Sequence, residues 1–505
     1  MKRRIIGLLL AVTVTAGMCA CGQEEKETQP ESAGAKEYDQ VTYAYATMNN
    51  VPTEESVDAV EEKLNEITRE KIGVEVTLKP IALADYSQSV SLSLQAGEKI
   101  DVFQSIYDFT NCVSTGMAMD ITELGKEYAS DTIELVGEEW LKASSYEGKL
   151  YGIPTYKPVA AKPYFVCRKD IAEELGLDLS GIKSSSELTD VFSKVQEAHP
   201  EMTMLAPLNQ GKLGEHLTWY GVDWLSDSDE KAFGVLMGDD TTVKNLYASD
   251  LFKDSCDLAR EWYNAGYVMK DAATTTSTNS ELMGSGKYFG FFTSNATPAE
   301  DLAQMLSGMY GNYQLQAIPL GKPYLSTASI NTVTWMLASN TKVPEAAMKF
   351  LDLTYNDPDV CNLLIFGIEG RDYVLDQNGY ASYPEGEDAA TVPYTAQLSN
   401  GILGNSFIMY PITGTDKESM PLMLEENKSA DISPVMGFVF DSSHVGVQYT
   451  AVNNVASQYL PGLLCGSVDP ETEIPKFLQA LDDAGCQDII DAKQEQLNDW
   501  LEENK

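Results

Sequence analysis

The feature that most constrains this chain is an alternation of short apolar strands and amphipathic helices that begins at residue 41. Val41-Thr42-Tyr43-Ala44-Tyr45 alternates as a strand. Thr53-Glu54-Glu55 opens a helix whose apolar positions Val57, Val60, Leu64 and Ile67 fall three or four apart. Gly73 closes it where a left-handed residue is wanted. Val74 to Leu78 reads as a strand, Asp85 to Ala96 as a helix ending at Gly97, and Ile100 to Phe103 as the third strand. This order specifies a mainly parallel sheet covered by helices.

The rhythm restarts after residue 160. Tyr164 to Cys167 is a strand, Ser184 to Glu187 is a capping box ahead of a helix carrying Leu188, Val191, Phe192 and Val195, and Met202 to Ala206 is a strand again. A helix from Leu251 to Asn264, a strand from Tyr288 to Phe292 and a helix near Ala299–Leu306 complete the second unit. Two such units in series predict an α/β protein of two lobes, with ligand bound in the cleft beyond the carboxyl ends of the strands. The remaining chain reads as a helix opened by Pro344, a loop-rich region from about 376 to 434, and a helical pair around 471–484 and 487–501.

Ahead of the folded part, Lys2, Arg3 and Arg4 precede about ten mostly apolar residues and then small ones, the layout of a secretory signal. The apolar run is shorter than the roughly 20 residues that a spanning helix needs. Met18-Cys19-Ala20-Cys21 resembles the lipobox of bacterial lipoproteins, with cleavage after Ala20 and lipidation of Cys21. Residues 22–37 have no large apolar side chain, and as a flexible tether they reach roughly 20–25 Å.

The formal net charge of −41 argues against nucleic acid as a partner. Losing residues 1–20 removes three positive side chains and no negative one, so the mature chain is more acidic still. Cys112, Cys167, Cys256, Cys361, Cys465 and Cys486 show no CxxC and sit mostly in apolar stretches, as buried free thiols do. Fifteen disulfide pairings remain formally open to six cysteines.

Four passages carry a family resemblance. Leu94 to Val102 (LQAGEKIDV) resembles the "Gly-Glu-x-x-Asp" and strand passage of the extracellular solute-binding proteins of bacterial ABC importers, the broad family that includes the maltose-binding protein. Tyr146 to Pro154 (YEGKLYGIP) resembles that family's crossover into the second lobe. Pro344 to Tyr373 resembles the lipoprotein branch with a C-terminal module of unknown function, and Gly437 through Trp500 resembles the module itself.

The resemblance implies a periplasmic-binding-protein-like fold, each lobe a mainly parallel sheet flanked by helices, with hinges near Tyr156–Ala161 and Ile318–Tyr324. It divides the chain into a signal peptide (1–20), a lipidated linker (21–37), lobe 1 (38–157 plus about 325–436) and lobe 2 (about 158–324 plus 437–505). The expected function is lipid-anchored, extracytoplasmic capture of a small solute, above all an oligosaccharide, and its delivery to permease subunits. The protein is expected to work as a monomer, without cofactor, metal or catalysis. A peptide or other polar solute is the alternative ligand, and a surface carbohydrate-active hydrolase the alternative class.

A sugar cleft needs aromatic platforms with polar side chains around them. Leu205 to Leu225 offers Asn209, Gln210, Trp219, Tyr220 and Trp224 after a strand, where the resemblance places ligand-stacking aromatics. Tyr107 and Asp108 follow the strand ending at Phe103, Trp335 lies on a strand beside the crossover, and Glu369 and Arg371 flank Gly370 as a charged pair able to orient hydroxyls. Each has a structural alternative: a tryptophan in the core, an ion pair holding a loop. Motifs for other chemistry are incomplete. Gly284-Ser285-Gly286-Lys287 lacks the upstream glycine and the Ser/Thr of a phosphate loop, Asp227-Ser228-Asp229 lacks the rest of a calcium loop, and His199, His216 and His444 form no metal motif. No local motif singles out a carboxylate pair for glycoside hydrolysis.

Overall fold

A computed structural model describes residues 37–48, 51–208, 211–225, 233–394 and 401–504. Cys21 with the leader, and Asn209 and Gln210, lie outside the described residues.

The first sheet has five strands in the order Val74–Ala82, Asp39–Thr47, Val102–Ile106, Val333–Leu337 and Ile153–Pro154. Asp39–Thr47 pairs in parallel with both of its neighbours. Its aromatic residues face the core: Tyr43 stacks on Trp335 at 4.4 Å and meets Phe350 edge-on at 5.1 Å. The Glu54–Lys71 helix starts at Thr53, whose hydroxyl accepts from the Ser56 N–H, and it buries Val57, Val60 and Leu64 against the sheet. Asp101 of the "Gly-Glu-x-x-Asp" passage is buried and accepts from the Thr42 N–H at 2.8 Å and the Thr341 hydroxyl at 2.5 Å. The passage therefore secures a strand end; Asp101 is structural.

The second sheet runs Leu315–Pro319, Lys162–Arg168, Tyr288–Asn295 and Thr203–Leu205. Phe165, Phe192, Trp262, Phe289 and Phe292 form its core. The expectation of mainly parallel sheets needs correction. Val333–Leu337 and Ile153–Pro154 join the first sheet antiparallel, and in the second only Tyr288–Asn295 with Thr203–Leu205 is parallel. Parallel pairing needs a crossover on the same sheet, whereas Val333–Leu337 is reached by a segment returning from the second sheet and enters from the opposite end.

The chain passes between the first core and the other two three times. Residues 155–161 connect Ile153–Pro154 to Lys162–Arg168, and residues 320–326 lead back. A third passage lies at Gly437, where the expected lobe boundary falls although no hinge was named there: Met436 packs in the first core, and Val435 and Phe438 on either side of it pack in a third one. Gly437 has a φ of 100°, and a Cβ there would sit 3.0 Å from the Lys142 carbonyl oxygen. Gly152 of the crossover motif has a similar reason, since a Cβ would lie 2.6 Å from the Thr334 side chain and 2.8 Å from the Trp335 carbonyl.

The third core joins the helices Gly446–Leu464, Pro470–Asp483 and Cys486–Glu503 to residues of the 225–256 stretch, among them Phe233, Tyr247, Phe252 and Cys256. The predicted terminal pair is thus present, preceded by a long helix not anticipated from its Asn453-Asn454 pair and internal Pro461. The region expected to be loop-rich also holds a helix, Ser419–Ser429. Cys112, Cys167, Cys256, Cys361, Cys465 and Cys486 are all free and buried.

Candidate functional site

A cleft of about 760 Å³ opens between the first two sheets, walled by residues from both and floored by the passages between them. Tyr107 stands at the carboxyl end of the central Val102–Ile106 strand, 81% exposed, with a φ of 53°. A non-glycine residue with positive φ is uncommon and costs free energy. Here the Tyr107 N–H is fixed by the Thr332 carbonyl at 3.0 Å, so the strand end is held while the ring projects into the cleft.

The opposite wall carries Trp219, Tyr220 and Trp224. Trp219 is half-buried; its indole N–H donates to the Ser255 hydroxyl at 2.7 Å, and its ring packs 6.4 Å from both Trp224 and Phe252. Tyr220 is 49% exposed, and its hydroxyl donates to Asp431. That bond is the first cause raising the Tyr220 phenol to about 12. Asp223, between the aromatic positions, is buried; burial pushes its carboxyl upward, against hydrogen bonds from Ser433 and the Leu225 N–H and the pull of the Lys493 ammonium. Lys493, on the Cys486–Glu503 helix, also donates to the Trp224 carbonyl at 3.4 Å and so ties the wall to the C-terminal helices.

The polar part of the lining comes from the hydroxyl- and amide-rich stretch Ser326, Thr327, Ser329, Asn331 and Thr332, together with Ser294. The Thr332 hydroxyl has no hydrogen-bond partner among the described residues. Sequence reading missed this stretch, although its density of Ser, Thr and Asn directly after the return passage was a usable signal. Lys322, in that passage, is the one lysine in the described lining.

Of the expected site residues, the fold brings Tyr107, Trp219 and Tyr220 to one cleft. Asp108 turns away, accepting from Asn111 at 3.1 Å, and borders a small interior pocket beside Cys112. Trp335 is 0% exposed, stacked on Tyr43, with its indole N–H on the Ile402 carbonyl at 3.1 Å; it belongs to the core because its strand lies directly beside the central strand of the sheet and is buried along its whole length. Arg371 does not pair with Glu369. It forks onto the adjacent carboxylate of Asp372, at 2.6 Å from Nη2 and 2.9 Å from Nε, and that carboxylate also accepts the Ile368 N–H. Glu369 lines a separate shallow pocket of about 250 Å³ with Tyr373 and Tyr410. Among the described residues, no group of three or more His, Cys, Asp or Glu side chains could hold a metal ion.

The first crossover is held from outside the cleft. The Asn427 side-chain oxygen accepts from the Val159 and Ala160 N–H groups, both at 3.0 Å, while its amide donates to the Lys157 carbonyl at 2.7 Å. Lys162 pairs with Glu426 on the same helix. Lys157 is largely buried, its ammonium on the Gly401 carbonyl at 3.1 Å, and burial lowers its pKa to about 8.

Comparison with known proteins bears directly on this arrangement. The family model described as "Bacterial extracellular solute-binding protein" matches residues 52–359, and a domain of unknown function, DUF3502, matches residues 434–502. The chain is 24% identical to a carbohydrate ABC transporter substrate-binding protein of Streptococcus pneumoniae, over 98% of this chain and 97% of that one. Among solved structures, the N-glycan transport solute-binding protein NgtS from Streptococcus pneumoniae superposes with a TM-score of 0.78 at 22% identity, covering 92% of this chain and 100% of that one. The same protein in complex with Man1GlcNAc gives a TM-score of 0.65 at 21% identity, with the same coverage of both chains.

Proposed function

Because the chain belongs to the bacterial extracellular solute-binding proteins, we propose that it is the oligosaccharide receptor of an ABC importer, which closes on its ligand and releases it unchanged to permease subunits. The observation that carries this reading is the cleft itself. Tyr107, after the central strand of the first sheet, shares the cleft with Trp219, Tyr220 and Trp224, which flank the short Val222–Asp223 strand beyond the second sheet, and with a stretch rich in hydroxyl groups. Aromatic faces cover the C–H faces of sugar rings, and hydroxyl and amide groups exchange hydrogen bonds with the ring edges. A cleft of about 760 Å³ suits several sugar units rather than one.

The S. pneumoniae relatives named for carbohydrate, N-glycan and Man1GlcNAc support a saccharide over a peptide. Extracytoplasmic location follows from the family; anchoring through a lipid on Cys21, after removal of residues 1–20, follows from the lipobox. Durable anchoring needs more than one acyl chain, which lipoprotein modification supplies. The two-lobe division, with residues 437–505 on the second lobe, is supported by the packing of the last three helices on the 225–256 stretch. The protein works as a monomer and without turnover.

The test is calorimetric titration and thermal shift with maltotriose, kestose, trigalacturonate and mannosyl-N-acetylglucosamine, with product analysis after long incubation. Saturable binding of at least one, recovered intact, is expected. Cleavage of any of them, or saturable binding of none, overturns the reading.

A further inference from the structure

We propose that Asp431, which does not line the cleft, is a positioning residue for its ligand. It holds the Tyr220 ring in the orientation in which the ring serves as a platform. The inference rests on the saccharide-receptor reading and adds a residue outside the wall to it.

Tyr220 projects from the second-lobe wall with half its surface open. An exposed tyrosine ordinarily turns about both side-chain torsions, and a ligand that stacks on it must bear the cost of ordering it. Two contacts remove that freedom before any ligand arrives. The phenol O–H donates to the Asp431 carboxylate, which fixes the tip, and the ring meets Tyr324 edge-on at 6.1 Å and 70°, which fixes its plane. The two supports belong to one unit: Asp431–Ile432 pairs in parallel with Tyr324–Leu325, and Tyr324 lies opposite Asp431 in register. Tyr220 and Tyr324 line the cleft, so one face of the held ring remains available. The bond also joins a wall residue to the passages between the lobes. The rise of the Tyr220 phenol to about 12, caused first by the Asp431 bond, is what a phenol donating to a carboxylate should show.

The experiment has a ligand-free arm and a binding arm. The chain is labelled with 3-fluorotyrosine, and the Tyr220 resonance is assigned by its loss in Tyr220→Phe. The assigned line should shift and broaden in Asp431→Ala and return toward its original position in Asp431→Asn, which keeps an acceptor oxygen. For mannosyl-N-acetylglucosamine, or whichever member of the panel above binds best, Asp431→Ala and Tyr220→Phe should each weaken affinity three- to tenfold. The double variant should be no weaker than either single one. An unmoved fluorine line in Asp431→Ala overturns the proposal. So does a moved line with unchanged affinity. Failure of the wild-type chain to bind any saccharide sinks the receptor reading instead, and the fluorine line still reports whether Asp431 holds the ring.

Discussion

The indole N–H of Trp219 donates to the hydroxyl of Ser255, a residue of the Asp250–Ala265 helix, at 2.7 Å. The bond turns the polar edge of the tryptophan into the protein and leaves its apolar surface for the cleft. Trp219 therefore has two roles that substitution separates. Trp219→Phe keeps an aromatic face and loses the bond, which is worth about 1 kcal/mol, and should lower the melting temperature by only a few degrees. Trp219→Ala loses the face as well, and saccharide affinity should fall about tenfold or more, consistent with aromatic contact energies. Unchanged affinity in calorimetric titration would assign the residue to the core alone.

Arg371 and Glu369 should part company. Asp372 is fully buried and depends on the Arg371 guanidinium. Arg371→Ala should destabilise the fold by roughly 2 kcal/mol, the usual penalty of an uncompensated buried carboxylate reduced for the partial exposure of the arginine. Glu369→Gln should leave stability and affinity within error. Denaturant titration of the two variants beside wild type checks both.

Asn427 satisfies three backbone groups of the crossover with one side chain. Asn427→Ala leaves two N–H donors and a carbonyl without it, and should cost roughly 2–3 kcal/mol. Hydrogen exchange should speed up at Val159 and Ala160 before it does so in either sheet. Equal acceleration in the sheets would mean that the clip stabilises the whole fold rather than the passage.

Lys157 gives a pH prediction with a definite sign. Its folded pKa of about 8 lies below the ordinary value near 10.4, so the folded state sheds a proton that the unfolded state keeps. The charged lysine destabilises the fold fully below about pH 8, and the penalty is relieved as pH rises from about 8 toward 10. Lys157→Met should therefore gain roughly 1–3 kcal/mol over wild type at pH 7, and the gain should shrink by pH 9.5. A gain that is constant with pH would show that the ammonium is solvated.

The six thiols should be silent in the native state. Burial raises Cys112 and Cys167 to about 12, so the nucleophilic thiolate is scarce at neutral pH. Disulfide reagents should modify the chain only after denaturant, and reductant should not move the melting temperature. Rapid labelling of a native thiol would contradict the packing.

How far the sequence carried the argument depended on range. Glu54–Lys71 and Lys162–Arg168 were legible because helical and alternating periodicity are local. Strand direction was not, because it depends on which passage delivers Val333–Leu337 to its sheet. Tyr107, Trp219 and Tyr220 were found because strand ends and aromatic clusters leave a mark in sequence. Trp335 was misplaced for the same reason: an aromatic residue beside a crossover looks alike whether it faces a cleft or stacks on Tyr43. Asp431 could not be found, since its partner lies 211 positions away.

The segment leading into the third passage holds the other two: Asn427, ten residues before Gly437, clips the first, and Asp431–Ile432 pairs with the second. A single connecting strand lets two bodies twist, swivel and bend. Three joined side by side act as a leaf spring, stiff to torsion and to shear and compliant along one line. Such a protein reports occupancy through one angle, and any surface that spans both bodies senses that angle as a single distance.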